Sequence, residues 1–340
     1  MRFGKIDNII VLGGSPLLAE FARSVRQAAD YSVRCFSCER QLKEVIGKNG
    51  ETLRKLLDRD KITYYSSDDI CKDKRFLSSI TKTTLGLGFG EPWRFDGKTI
   101  KKFEGRLLDF MGIRLPQYRG GAHYSWQILR RNKTGCCNLQ LINEEMIQGI
   151  FDSGEIVKSK EYLFPPTLRI PQDYFDFAVR VESEFLNEFL REVKAGRDFE
   201  LTKIQENFSI YFPRLYTRKH GFINWSWKTD DIATFICAFD SPYNGASTFL
   251  DGKRVFLKDC YPEFNDGPFH PFQSGLIYRK NQNAIFAATV DGTVVIKSIK
   301  SEKGADLKTS IAVGQRLYTP ADKLEESLYY SAVYDTKDIK

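Results

Sequence analysis

The first half of the chain alternates short apolar runs with helical patterns. Ile9 to Leu12 is a continuous apolar run that stops at Gly13-Gly14-Ser15-Pro16, and Leu17, Leu18, Phe21 and Val25 follow at i, i+1, i+4, i+8 spacing. Strand, glycine turn and helix open an α/β unit. Further short strands are predicted at Tyr31 to Phe36, Ile62 to Tyr65 and Thr83 to Phe89, the last ending at Gly90-Glu91-Pro92, with a charged helical stretch over Glu39 to Leu57. This alternation predicts a mostly parallel, Rossmann-like sheet covered on both faces, with ligands bound beyond the carboxyl ends of its strands. From Lys158 to Phe212 the sequence reads as a polar connecting region. It holds Pro165-Pro166, Pro171 and a helix over Gln172 to Ala195, whose Phe175, Val179, Phe185, Leu186 and Phe189 share one face and which Gly196 stops. After Pro213 short aromatic and β-branched runs take over. They fall at Thr248 to Leu250, Val255 to Leu257, Gly275 to Tyr278, Ala284 to Val290 and Thr293 to Ile299, and Asp251-Gly252 and Asp291-Gly292 mark hairpins. A small β-rich, OB-like barrel with one helix near Asp230 to Phe239 is predicted there. The expected division is an α/β domain over 1–200, a linker over 201–220, a barrel over 221–318 and a tail over 319–340.

Composition adds limits rather than a function. Of the 340 residues, 42% are hydrophobic and 14% aromatic, which is ample for a packed core and excludes wholesale disorder. The 51 Lys and Arg against 44 Asp and Glu give a net charge of +7, enough for weak attraction to phosphate-bearing ligands but short of the concentrated basic patch of a dedicated nucleic-acid binder. The longest apolar runs are too short for a membrane span, and the N-terminal one is too short for a signal-peptide core, so a cytoplasmic protein is expected. Seven cysteines include a lone Cys35-x-x-Cys38 and the vicinal Cys136-Cys137. A second pair at zinc spacing is missing, so these read as buried small hydrophobes rather than metal or redox sites, and no metal is expected.

Three segments carry candidate chemistry. Gly13-Gly14-Ser15-Pro16 could cradle a phosphate at a helix N-terminus, but the GxGxxG spacing is absent and a tight strand-to-helix turn is favoured. Leu115 to Trp126 (LPQYRGGAHYSW) places two glycines after an arginine and ahead of a helical pattern. Phe151-Asp152-Ser153-Gly154-Glu155-Ile156 sets a carboxylate beside an apolar run, either as a buried acid or as a turn aspartate.

In order and spacing these elements resemble the folate-dependent formyltransferases. They are similar to methionyl-tRNA formyltransferase and more closely to the sugar N-formyltransferases. The resemblance rests on Leu115-Pro116, Tyr118-Arg119-Gly120-Gly121 and Asp152-Ser153-Gly154-Glu155-Ile156, and on Tyr211-Phe212-Pro213-Arg214, Gly221 to Trp225, Pro242-Tyr243 and Gly245-Ala246 in the later part. It runs from about residue 7 to residue 318 and implies transfer of a formyl group from 10-formyl-tetrahydrofolate to an acceptor amine. Asp152 is then a catalytic residue. Gly90, Trp93, Met111, Leu115, Gly149 and Ile150 would face the folate, and Arg119, Gly120, Gly121, Tyr124 and Trp126 the acceptor. Trp93 has a second reading as a core aromatic at the sheet edge. The segment Asn143 to Gly149 is longer than the corresponding folate loop of typical relatives.

The chain departs from the family at its catalytic pair. Counted back from Leu115-Pro116, the family's Asn falls on Asp109 and its His on Met111. Those two donate hydrogen bonds to the oxyanion of the tetrahedral intermediate, and losing one such donor costs about 10²–10³ in rate. Met111 donates nothing, and an ionised Asp109 would repel the developing charge. Two rescues are available. Asp109 can be protonated if Asp152 lies close to it, since one of two neighbouring carboxylates has its pKa pushed up, or His123 can enter the site. His123 otherwise reads as an N-terminal helix residue, and His220 and His270 read as structural. The expected function is formylation of a nucleotide-linked amino sugar in surface-glycan biosynthesis, with a homo-oligomer possible. The alternative is a diverged homologue with altered acyl transfer or a binding role. Methionyl-tRNA as acceptor ranks below both, because the Lys and Arg of residues 34 to 57 are interleaved with Glu.

Overall fold

The computed structural model describes residues 1–46, 50–144, 153–333 and 335–337. In chain order the first part runs β1 (Asn8–Gly13), α1 (Pro16–Ala28), β2 (Ser32–Ser37), α2 (Glu39–Lys43), α3 (Leu53–Arg59), β3 (Thr63–Ser66), α4 (Lys74–Ser79), β4 (Thr84–Phe89), α5 (Gly97–Lys102) and β5 (Leu107–Met111). It continues with β6 (Arg119–Gly120), α6 (His123–Leu129), β7 (Thr134–Leu141), β8 (Ile156–Leu163) and α7 (Pro171–Lys194). The large sheet has the order β3-β2-β1-β4-β5-β7-β8. Its first five strands are parallel, and β7 and β8 close it antiparallel. Every residue of β1 and β4 is buried, as central strands covered on both faces require. The opening turn follows from local chemistry. The Ser15 hydroxyl accepts a hydrogen bond from the Leu18 N–H at 3.0 Å, Pro16 starts α1, and Leu17, Leu18, Phe21, Ala22 and Val25 face the core.

Two expectations are corrected. The charged stretch over Glu39 to Leu57 is two helices rather than one: α2 stops at Lys43, a Val45–Thr52 bridge intervenes, and the Thr52 side chain caps α3. The polar connecting region does not begin at Lys158, because Ile156–Leu163 is the edge strand β8. An edge strand with one face in water reads as polar, since only alternate positions meet the core.

The second part comprises β9 (Tyr211–Phe212), α8 (Thr217–His220), α9 (Thr229–Ala238), β10 (Ala246–Leu250), β11 (Lys253–Glu263), β12 (Ile277–Lys280), β13 (Ile285–Ala288), β14 (Thr293–Ser301), β15 (Leu317–Tyr318) and α10 (Ala321–Tyr329). Six of these strands form an antiparallel sheet, β12-β13-β14-β11-β10-β15. It curls until its edges meet at a Leu276–Arg316 bridge, where the Leu317 N–H donates to Gly275 O at 2.8 Å. A Cβ on Gly275 would lie 1.9 Å from Leu317 O, so only glycine admits that closure. The two Asp-Gly pairs behave differently. Asp251-Gly252 makes the predicted two-residue hairpin with positive φ at both positions. Asp291-Gly292 lies in a wider loop, because the Asp291 carboxylate accepts from the Thr229 N–H (2.8 Å) and hydroxyl (2.7 Å) at the start of α9.

Helix α7 joins the two halves. Its Tyr174 and Ala178 belong to the apolar cluster that contains α9 and the curled sheet, and its Phe185, Leu186 and Phe189 to the cluster under the large sheet and α1.

Candidate functional site

Strand order reverses at β1, with β2 on one side and β4 on the other, so the carboxyl ends of β1, β4 and β5 border the crevice where α/β sheets bind ligands. Glycines shape this end. A Cβ on Gly13 would lie 2.8 Å from the Glu91 N, and one on Gly14 would lie 2.8 Å from the Gln41 Cβ. The Gln41 amide donates to Gly90 O at 2.8 Å. The Gly13-Gly14 turn is therefore filled by the Gly90-Glu91 backbone and Gln41, which is the tight-turn reading rather than a phosphate cradle.

Asp109 is buried on β5, and its carboxyl and that of Glu91 both approach Gly88. A Cβ at Gly88 would lie 2.4 Å from Glu91 Oε2 and 3.0 Å from Asp109 Oδ1. Gln140 is the register partner of Asp109 on β7 and is fully buried. Its amide donates to Gly154 O at 2.9 Å, while its Oε1 has no hydrogen-bond partner among the described residues. Met111 is half-buried opposite Asn138, whose amide donates to Ile113 O. Leu115 is buried and joined to Pro116 through a cis peptide. Gly90 (φ +68°) has no atom within 4 Å of where a Cβ would stand. Trp93 has its indole N–H on Ser67 O at 3.2 Å and packs in an apolar cluster with Phe36, Phe76 and Phe103, which is the core reading. Gly149, Ile150 and Asp152 lie outside the described residues.

The residues expected at the acceptor divide into two groups. Arg119, Gly121, His123 and Trp126 line one shallow cleft, together with Ile113, Arg114, Tyr118 and Phe212. The connecting segment forms part of its wall: β6 pairs with β9, and the Arg119 guanidinium grips both Glu206 oxygens at 2.8 and 2.6 Å. A Cβ on Gly120 would lie 1.8 Å from Phe212 O, and one on Gly121 would lie 2.5 Å from the Arg214 Cγ. These glycines thus serve a close backbone approach. The Trp126 indole N–H donates to Pro213 O at 2.8 Å, and Tyr118 stacks on Phe212 with centroids 5.5 Å apart. His123 Nε2 lies 3.1 Å from Gly120 O. Burial, and then the Arg214 charge, push His123 down to about 4, so near neutral pH it is an uncharged imidazole whose Nε2–H donates to that carbonyl.

Tyr124 does not line the cleft. It is buried edge-on against Phe175 (4.6 Å) in the apolar cluster, and burial together with the nearby Glu182 carboxyl pushes its hydroxyl up. Glu182 lies on α7, with the Tyr162 hydroxyl donating to it at 3.2 Å, and burial pushes its carboxyl up to about 7. The sequence reading missed Glu91, Gln140 and Glu182. A signal existed for the last two: a glutamine inside the apolar run Thr134–Leu141, and a glutamate three residues from Val179 and from Phe185 on the apolar face of α7.

All seven cysteines are free, and burial holds the Cys35 thiol up at about 12 and Cys136 at about 11. Among the described residues no group of three His, Cys, Asp or Glu side chains is disposed to hold a metal. Among those residues no helix is long and apolar enough to cross a membrane.

Residues 216–314 match the family described as formyl transferase, C-terminal domain. The chain is 25% identical over 146 residues to the bifunctional polymyxin resistance protein ArnA of Wigglesworthia glossinidia brevipalpis, covering 43% of this chain and 21% of that protein. It is 24% identical over 191 residues to the methionyl-tRNA formyltransferase of Acetivibrio thermocellus, covering 56% of this chain and 57% of that one. The chain thus spans about a fifth and somewhat over half the length of these curated relatives. Among solved structures it superposes on WlaRD, a sugar 3N-formyl transferase determined in the presence of dTDP and 5-N-formyl-THF. The TM-score is 0.60 at 14% identity, over 86% of this chain and 98% of that one. Residues 216–314 thus carry a formyl transferase C-terminal domain, and the chain as a whole shares the fold of that sugar N-formyltransferase.

Proposed function

We propose that the protein transfers a formyl group from 10-formyl-tetrahydrofolate to the amine of a nucleotide-linked amino sugar, in the cytoplasm, for a surface glycan. The observation that carries this reading is the pair of carboxyls, Asp109 and Glu91, at the carboxyl end of β4 and β5, with Gln140 beside Asp109. Gln140 Oε1 is a buried acceptor without a partner among the described residues, and it suits a ligand edge rich in N–H donors such as a reduced pterin. The folate would supply the one-carbon unit.

The chain's own residues must then manage charge on the formyl oxygen and the proton of the acceptor amine. Two carboxyls in close, water-poor contact share a proton more readily than both ionise. Asp109, when it carries a proton, can donate the hydrogen bond that the family's Asn would give. Asp152, by its resemblance to the family's aspartate, takes the amine proton. His123 is committed to Gly120 O and does not replace the missing imidazole. The acceptor would lie in the cleft between Tyr118, Trp126 and Arg114, where aromatic faces suit a nucleobase and a cation suits phosphate.

A second reading, a relative that binds without catalysing, draws on Met111 in place of the imidazole and on the Arg119–Glu206 pair. The deciding experiment is formyl transfer from 10-formyl-tetrahydrofolate to a panel of nucleotide-linked amino sugars. Activity that Asp152→Asn abolishes supports the first reading. No turnover in the native protein, with large activity in the Asp109→Asn, Met111→His double variant, supports the second. Retention of initiator tRNA on filters at physiological salt would favour tRNA as the acceptor.

A further inference from the structure

The acceptor cleft has two walls, and one buried carboxyl lies behind both. One wall is the turn that leaves β5, carrying Ile113 and Arg114; the other is α6, carrying His123 and Trp126. Behind the first wall a Cβ on Gly112 would lie 2.8 Å from Glu182 Oε1. Behind the second, Tyr124 of α6 lies near enough for the same carboxyl to push its hydroxyl up, and Tyr162 of β8 donates to that carboxyl at 3.2 Å. Glu182 is only 4% exposed, and it lies on α7 between the residues that face the curled sheet and those that face the large sheet. A carboxyl in such a place is expensive, because burial disfavours its charge and no Lys or Arg among the described residues pairs with it. An apolar residue of similar volume would fill the α7 stripe at lower cost if packing were all that mattered.

We propose that Glu182 is a positioning residue of the acceptor cleft, its carboxyl setting the spacing between the β5 turn and α6 through Gly112 and Tyr124. Among the described residues, the titratable groups that face it are Tyr124 from α6, Tyr162 from β8 and Cys137 from β7, and the turn after β5 presents the Gly112 backbone. The tyrosines and the cysteine are all pushed up, so near neutrality Glu182 alone of the four changes charge. When it is ionised, the Tyr162 hydroxyl donates to it and its charge acts on the nearby Tyr124 hydroxyl. When it is protonated it needs one acceptor of its own, and one hydroxyl contact is rearranged. Trp126, two residues beyond Tyr124, reports that change.

The first test needs no turnover. Trp126 emission is followed from pH 5.5 to 8.5 in the full chain, with Trp126→Phe identifying its share among the four tryptophans. The expected result is a transition centred near pH 7 that is lost in Glu182→Gln and in Tyr124→Phe, the latter keeping the carboxyl and guarding against a folding defect in the former. No transition in the native protein, or one that persists in both variants, overturns the proposal. The second test rests on the formyl-transfer reading. Glu182→Gln should raise KM for a dTDP-linked amino sugar about tenfold and change kcat and the KM for 10-formyl-tetrahydrofolate little, as expected for lost positioning of one substrate. Equal losses for both substrates overturn the positioning role. If the native protein formylates no acceptor, the functional reading fails while the emission experiment still decides the role of Glu182.

Discussion

Replacing Glu182 by Gln should change the way stability depends on pH, and the size of the change follows from the site. In the folded chain burial raises this carboxyl from its ordinary 4.5 to about 7. Folding therefore favours the protonated form, and the stability it contributes is fully present below pH 4.5 and is lost as pH rises towards 7. Each tenfold difference in proton affinity is worth about 1.36 kcal/mol. The cost of keeping the group buried is then about 1 kcal/mol at pH 5 and about 3 kcal/mol at pH 8. Glutamine occupies the same volume and does not titrate. Urea unfolding of both proteins at pH 5 and pH 8 should show the native chain losing about 2 kcal/mol relative to Glu182→Gln across that interval. His123 and the other titrating groups are common to both proteins and cancel to first order. A difference below about 0.5 kcal/mol would refute the argument, because it would mean that water or an unrecognised cation relieves the buried charge.

Gly120→Ala should destabilise the chain by about 3 kcal/mol or more, since its Cβ would meet Phe212 O at 1.8 Å and φ is positive, whereas Gly196→Ala, with positive φ but open space, should cost about 1 kcal/mol; melting temperatures distinguish them. His123 is held at about 4, below its ordinary 6.5, so its contribution to stability is present above pH 6.5 and lost as pH falls through 4; His123→Gln should flatten the acid limb of a denaturation profile between those values. Asp291→Ala removes both hydrogen bonds to Thr229 at the start of α9 and should cost about 1 kcal/mol by chemical denaturation, with Asp291→Asn recovering part of it.

Periodicity carried the fold a long way. The run Ile9 to Leu12, the glycine turn and the 1-4-8 spacing after it could only bury their apolar atoms as strand and helix, and β1 and α1 formed there. The expected helix over Gln172 to Ala195 is α7 within one residue at each end. The edge strand β8 was not legible, because a strand solvated on one face looks like a linker until a neighbouring strand is known. The role of Asp291 was hidden for a related reason: its partner, Thr229, is 62 residues away.

The candidate site was legible in its residue types and not in its partnerships. The order of Leu115-Pro116, Tyr118-Arg119-Gly120-Gly121 and the Asp152 element pointed to the family, and the loss of its Asn and His was visible at Asp109 and Met111. Only the folded chain brought Glu91 and Asp109 both up to Gly88, gave Arg119 to Glu206, turned Gly120 and Gly121 into a joint with Phe212 and Arg214, and drew Tyr124 inward to Glu182. Local patterning and turn chemistry depend on neighbours a few residues apart, and the sequence prints those neighbours. The charge state of a carboxyl, the freedom of a guanidinium and the reason for a glycine depend on what is brought within a few ångströms from 18 to 93 positions away, and that was decided by tertiary packing.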